Sequence, residues 1–257
     1  VAIANTGSGN TISSTVGSVT LGNGNIYIYS NDTTGTVNNS TNLALTATST
    51  GGNYGIYSAG TVTNSGNMDF GTGVGNVGIY SIGGGTATST GTITVGASDA
   101  ATNQFSIGMA AGYSTTDTGN VVNNGTINVN GDYSIGMYAS GSGSTATNTS
   151  NIVLNGNNTT GIYADNGATV NNSGNISTAS GAYSNVVGVY LGTGSTLNNT
   201  GSITIDGANA VGVYLKGGTI ANYGNITVNG SSSTTDTVQR LSTPTTGKTD
   251  GEAPIEA

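Results

Sequence analysis

Apolar and polar residues alternate in short runs along most of the chain. Val77-Gly78-Ile79-Tyr80-Ser81, Thr61-Val62-Thr63-Asn64 and Ser202-Ile203-Thr204-Ile205 typify three kinds of run. Alternation with period two predicts strands with one buried face. No stretch carries Leu, Ala, Glu or Lys at a period of 3.6, so long helices are not expected.

The runs recur on a beat. Gly-Ile/Val-Tyr or a near copy ends at Tyr57, Tyr80, Tyr138, Tyr163, Tyr190 and Tyr214. Ile28-Tyr29 lacks the Gly, and Gly108-Met109-Ala110 lacks the Tyr. A second motif, apolar-x-Asn-x-Gly-x-Ile-x-Val, keeps the same beat at Val62–Phe70, Val121–Val129, Val170–Thr178, Leu197–Ile205 and Ile220–Val228, with looser copies elsewhere and a half-copy at Gly17–Leu21. A period of about 26 residues marks a repeat array. Three short strands per period describe one triangular coil of a single-stranded parallel β-helix, an all-β solenoid. Eight to nine coils at about 4.8 Å predict a rod of roughly 40 Å.

The array fills residues 1–230. The beat then stops, and 231–257, holding Pro244 and Pro254, is expected to be an irregular polar linker or tail, with a cap on the last coil as the alternative. The chain opens on Val1-Ala2-Ile3-Ala4, without Met or a signal peptide, and is expected to be a piece of a longer or processed protein.

Alternation also predicts burial. Val187, Val189 and Leu191 share a face, as do Ile135, Met137 and Ala139, and that face should point inward, leaving Gly and Tyr outside. In the other runs Val62 and Asn64, then Met68 and Phe70, should point inward. The third run stacks Leu43, Met68, Ile93, Ile127, Ile152, Ile176, Ile203 and Ile226. The recurrent Asn39, Asn64, Asn123, Asn148, Asn172, Asn199 and Asn222, with Ser89 as the exception, are expected to form a structural amide ladder at a tight corner.

Tyr29, Tyr57, Tyr80, Tyr138, Tyr163, Tyr190 and Tyr214 should form one exterior column. The column either packs over its neighbours or serves as a binding surface. Ala110 breaks it. Surplus residues on either side, Gly96–Gln104 and Gly112–Asn120, are expected to protrude as two loops carrying Asp99, Gln104, Tyr113 and Asp117.

Composition narrows the chemistry. Gly, Thr, Asn and Ser dominate, as suits turns and strands. Net charge is −8 and only Lys216, Arg240 and Lys248 are basic, which argues against nucleic acid. Without Cys or His, no disulfide, thiolate zinc site or imidazole base is available. The seven carboxylates of the array, Asp32 to Asp206, sit at different phases of the repeat, so catalysis is not expected. Gly83-Gly84-Gly85 and Gly217-Gly218 lack the Asp of calcium-binding repeats, so no metal or cofactor is expected. No segment is long and apolar enough to span a membrane.

The run Val77–Ser81 with Val62–Gly66, repeated over 26–230, resembles the passenger repeats of bacterial type V autotransporters, and most of all the very large fusobacterial-type adhesins. The resemblance implies a right-handed β-helix held outside the outer membrane on a C-terminal barrel that is missing here. It implies a non-catalytic stalk and binding surface, monomeric within a longer chain, adhering to a protein or glycan of host cells or other bacteria. A β-helical carbohydrate-active enzyme is one alternative. A surface-layer or ice-binding protein, suggested by triplets such as Thr61-Val62-Thr63 and Thr92-Ile93-Thr94, is another, and it requires Thr pairs in one flat outward array.

Overall fold

The computed structural model describes residues 1–179 and 183–230. The expected tail, 231–257, lies outside the described residues. Among those described, every regular element is a strand, 27 in all, from Ile3–Asn5 to Asn225–Asn229. They build three parallel sheets of nine strands, each coil contributing one strand to each sheet. The fold is a parallel β-solenoid of nine coils. The ninth comes from a first coil that the motifs show only in part, where Ile3-Ala4-Asn5 pairs with Ile28-Tyr29-Ser30.

Parallel pairing in strict register turns each motif position into a column. In the third sheet Leu43, Met68, Ile93, Ile127, Ile152, Ile176, Ile203 and Ile226 stack rung on rung. They fill the interior together with Val62, Val121 and Val170 of the second sheet. Burial of these aliphatic columns is what holds the rod together, at about 25 cal/mol per Å² of apolar surface removed from water.

The amide column is buried with them. Asn39 Nδ2 donates to Asn64 Oδ1 at 2.7 Å, and Asn64 Nδ2 donates to Ser89 Oγ at 3.0 Å. Beyond the fourth coil, Asn123, Asn148, Asn172, Asn199 and Asn222 donate each to the next at 2.7–2.8 Å. One rung is missing, between Ser89 and Asn123, where Asn123 Oδ1 instead accepts the Gly125 N–H. All of these amides but Asn199 also close their own corner; Asn64 Nδ2, for example, donates to Gly66 O at 2.8 Å.

One expectation fails. The Gly of Gly-x-Tyr points inward, not outward with the Tyr. A Cβ built on Gly78 would stand 2.8 Å from Cγ2 of the core residue Ile93 and 2.5 Å from Gly108 O. The ladder pairs Val77 with Ile107 and Ile79 with Met109, passing over the glycine. A bend there sets two consecutive positions, Gly78 and Ile79, on the inside. The residue before the bend, read as core, therefore faces outward beside the Tyr; Ile135, Val187 and Val211 are only half-buried. Close approach of successive coils leaves no room for a side chain at this Gly. In the second coil Tyr27 takes its place and is buried, its hydroxyl 2.7 Å from Ser14 Oγ.

The threonine pairs do not make one continuous array. Thr61/Thr63 and Thr86/Thr88 stack in register on the second sheet, but the next rung is Asn120/Val122. Thr92 and Thr94 belong to the third sheet.

Candidate functional site

The first sheet carries the exterior tyrosines. Register places Tyr29, Tyr57 and Tyr80 in line, then Ala110, then Tyr138, Tyr163, Tyr190 and Tyr214. Beyond the break the rings lie face to face, with centroids 5.8, 4.4 and 5.2 Å apart and planes within 18°. Before it Tyr29 and Tyr57 also stack, at 5.7 Å and 20°, but the order then changes. Tyr57 and Tyr80 meet at 70°, and Tyr80 lies parallel to Tyr54, one coil earlier, at 6.3 Å. Tyr80 reaches forward across one coil step, where its hydroxyl donates to Gly112 O at 3.1 Å. Ala110 is only 1% exposed.

Both surplus segments border this break. The first is a small hairpin in which Asp99 and Gln104 exchange backbone hydrogen bonds of 2.9 Å. The Asp99 carboxylate accepts the N–H groups of Ala101 and Thr102, and its pKa is lowered, with the Thr102 side-chain bond the largest cause. The second is a tight loop closed by Tyr113 N–H to Asp117 O at 2.9 Å. Asp117 Oδ1 accepts the Gly83 N–H at 2.7 Å, tying this loop to the previous coil. Tyr113 projects from it, 74% exposed.

Together they frame a groove of about 870 Å³ over the Ala110 position, a size within the ~300–1,000 Å³ range of ligand sites. Its floor is the outward aliphatic column, Val77, Ile107 and Ile135. Gln104, Phe105 and Tyr113 come from the loops, Tyr80 and Tyr138 from the column, and Tyr133, Asn158, Thr160 and Asp165 from the following coils. Of the four loop residues named from sequence, Gln104 and Tyr113 line the groove, while Asp99 and Asp117 hold the loops in shape. The amide ladder lies apart from it, inside the rod.

Tyr133, Phe105, Tyr54 and the aliphatic floor were not legible. Apolar residues at the floor position look like core. The signal that distinguishes them is tolerance of polarity, for Tyr54 and Thr160 occupy the same column as Val77 and Ile135.

Burial raises the phenol pKa values of Tyr80 and Tyr163, helped by neighbouring Tyr138 and Tyr190 respectively. Burial also raises that of Tyr57. Raised values keep these three side chains neutral at physiological pH, and the Tyr80 hydroxyl donates a hydrogen bond to Gly112 O. Asp165 is the one carboxylate on the groove wall, and no basic side chain lines it. Among the described residues no three carboxylates gather in a way that could hold a metal ion.

A nine-coil parallel solenoid with an aromatic groove on one outer face defines the class: a β-helical domain that presents a surface. The chain belongs to the family described as the BigA third pectate lyase-like domain, whose model matches residues 2–175. That match agrees with the likeness to adhesin passenger-type domains in its coarse form. "Pectate lyase-like" is here a relation of fold. No curated protein and no solved structure matches the chain. Among the described residues no helix is long and apolar enough to cross a membrane.

Proposed function

We propose that the chain is a non-catalytic segment of a surface-displayed bacterial adhesin, whose regular coils act as a stalk and whose groove over Ala110 contacts host cells or other bacteria. The observation that carries the reading is the groove itself. An otherwise repetitive rod gathers two long loops, a break in the Tyr column and a run of aromatic side chains at one place. Insertions in solenoids collect on binding faces, and exposed Tyr is a frequent contact residue.

Absence of catalysis belongs to the same reading. Glycoside hydrolysis uses two carboxyl groups about 5–10 Å apart, and Asp165 has no acidic companion on the groove wall. The likeness to fusobacterial-type autotransporters extends the proposal: a right-handed solenoid, monomeric within a longer chain, anchored in the outer membrane by a C-terminal barrel.

The test is adhesion of cells displaying the segment. Shortening both loops, Gly96–Gln104 and Gly112–Asn120, while the circular dichroism spectrum stays that of a β-solenoid, should abolish adhesion. Full adhesion by the shortened form would overturn the assignment of the groove. Release of sugar from polysaccharides by the intact segment would overturn the non-catalytic reading.

A further inference from the structure

In seven of the nine coils the corner two residues before the first-sheet strand has a left-handed residue, which is Gly24, Gly52 and Gly75 in the second to fourth. In the last three coils it is Asn158, Asn185 and Asn209, with φ of 57°, 55° and 54°. Their side chains hydrogen-bond in series at 3.1 and 3.0 Å. Asn tolerates this region because its short polar side chain bonds locally. In the sixth coil the corner residue is Tyr133, with φ of 61°. A bulky residue with positive φ is an outlier, and outliers of this kind persist where strain serves a site. Tyr133 is 46% exposed, and it lines the groove next to Ile135 and Tyr138. The strained corner therefore presents an aromatic ring where the later coils place an amide and the earlier ones a glycine.

The polar groups of the wall point to one ligand chemistry. They are amides and hydroxyls: the carboxamides of Gln104 and Asn158, the Thr160 hydroxyl and the tyrosine hydroxyls. The lone charge is negative, and the whole chain carries −8. Such a wall repels anionic ligands and offers none of the cationic donors that hold carboxylate, sulfate or phosphate. It suits a ligand with hydroxyl groups at its edges and apolar C–H faces that lie against rings. The lining runs from Tyr54 to Tyr163, four coil steps, or about 19 Å at roughly 4.8 Å per step. That is room for a short oligosaccharide laid along the rod.

We infer that the groove binds a neutral oligosaccharide, that Tyr133 and Tyr113 supply stacking faces for it, and that acidic glycans are excluded. The inference rests on the reading of the groove as the adhesive site and specifies its ligand.

The test uses the full chain and two panels: neutral tetrasaccharides (glucan, mannan, galactan and N-acetylglucosamine types) and their acidic counterparts, tetragalacturonate and sialylated or sulfated tetrasaccharides. Binding is followed by calorimetry and saturation-transfer NMR. At least one neutral member should bind and the acidic ones should not. Tyr133→Asn restores the corner residue of the later coils, so it should keep or raise the melting temperature while weakening binding at least tenfold. Tyr113→Ala, at a largely exposed position, should do the same without altering the fold. No binding by any neutral member, or equal affinity in both variants, would overturn the inference. If an acidic glycan or a protein ligand binds instead and the same variants weaken it, the ligand class is wrong and the groove stands. If cell adhesion persists undiminished in both variants, the groove reading itself falls.

Discussion

Gly136→Ala isolates the packing of the first sheet. Gly136 has no positive φ, so Ala can adopt its backbone conformation. By unfolded-state entropy alone, the change should stabilise by about 0.4–1 kcal/mol. Packing argues the opposite. The new Cβ would stand 2.6 Å from Gly161 O and 2.8 Å from Ile152 Cγ2. The first neighbour is the backbone of the next coil; the second is a fully buried core side chain. Neither is the free end of a flexible group, so the coils must move apart. Overpacking of this kind costs about 1–3 kcal/mol. The net expectation is destabilisation of about 2 kcal/mol, near the upper part of that range less the entropy gain. Gly17→Ala is the control, since a Cβ there meets nothing within 4 Å; it should leave stability unchanged or raise it by up to about 1 kcal/mol. Urea unfolding followed by far-ultraviolet circular dichroism reads both, with an unchanged m-value required for comparison. An unchanged or raised midpoint for Gly136→Ala would refute the inward placement of the glycine column.

Three further outcomes are expected. Asn148→Leu removes one rung of the buried amide ladder, leaving Asn172 Oδ1 without its donor and taking from Asn123 Nδ2 one of its two acceptors; the cost should be about 3 kcal/mol in urea, with Asn148→Ser milder because Ser89 already serves as such a rung. Asp32 accepts hydrogen bonds from Asn10, Thr34 and Asn5, which hold its pKa below the usual range. A lowered folded pKa contributes stability above the unfolded value, near pH 4, that is lost as pH falls; Asp32→Asn should therefore show a weaker acid dependence of the melting temperature, and an identical dependence would count against this role. Tyr80 and Tyr163 have raised pKa values, so their contribution is present below about pH 10 and lost as pH rises further; in an alkaline titration their phenolate absorbance should appear only as the β-sheet signal is lost, and its appearance in the intact fold would contradict their burial.

Much of the architecture was legible because a solenoid converts sequence period into spatial stacking. Two motifs on one beat located the Ile columns, the amide ladder and the Tyr column with its gap at Ala110. What alternation could not supply was the bend at the glycine. A period-two reading assumes a straight strand, and one inward double step transfers Ile135 from the expected core to the groove floor, beside Val77 and Ile107. Tyr133 was hidden for a related reason. It lies in a corner between runs, where backbone conformation, invisible in a hydropathy pattern, makes it unusual.

The missing rung between Ser89 and Asn123 falls at the same joint as Ala110 and the two loops. Ser81 Oγ, on the inside at that joint, is buried without a hydrogen-bond partner, and Ala111 is its neighbour in the next coil. Stability in a solenoid is a sum of couplings between neighbouring coils, and this joint, paired in all three sheets but short of one rung, separates a block of four coils from a block of five. Loop two carries the substitute contacts, from Gly83 to Asp117 and from Gly84 to Thr118. The groove walls come from both blocks, Tyr54 and Tyr80 on one side, Tyr138 and Tyr163 on the other. An occupant of the groove therefore acts as a splint across the joint. Under tension along the rod, the grip on such an occupant and the coupling of the two blocks would rise and fall together.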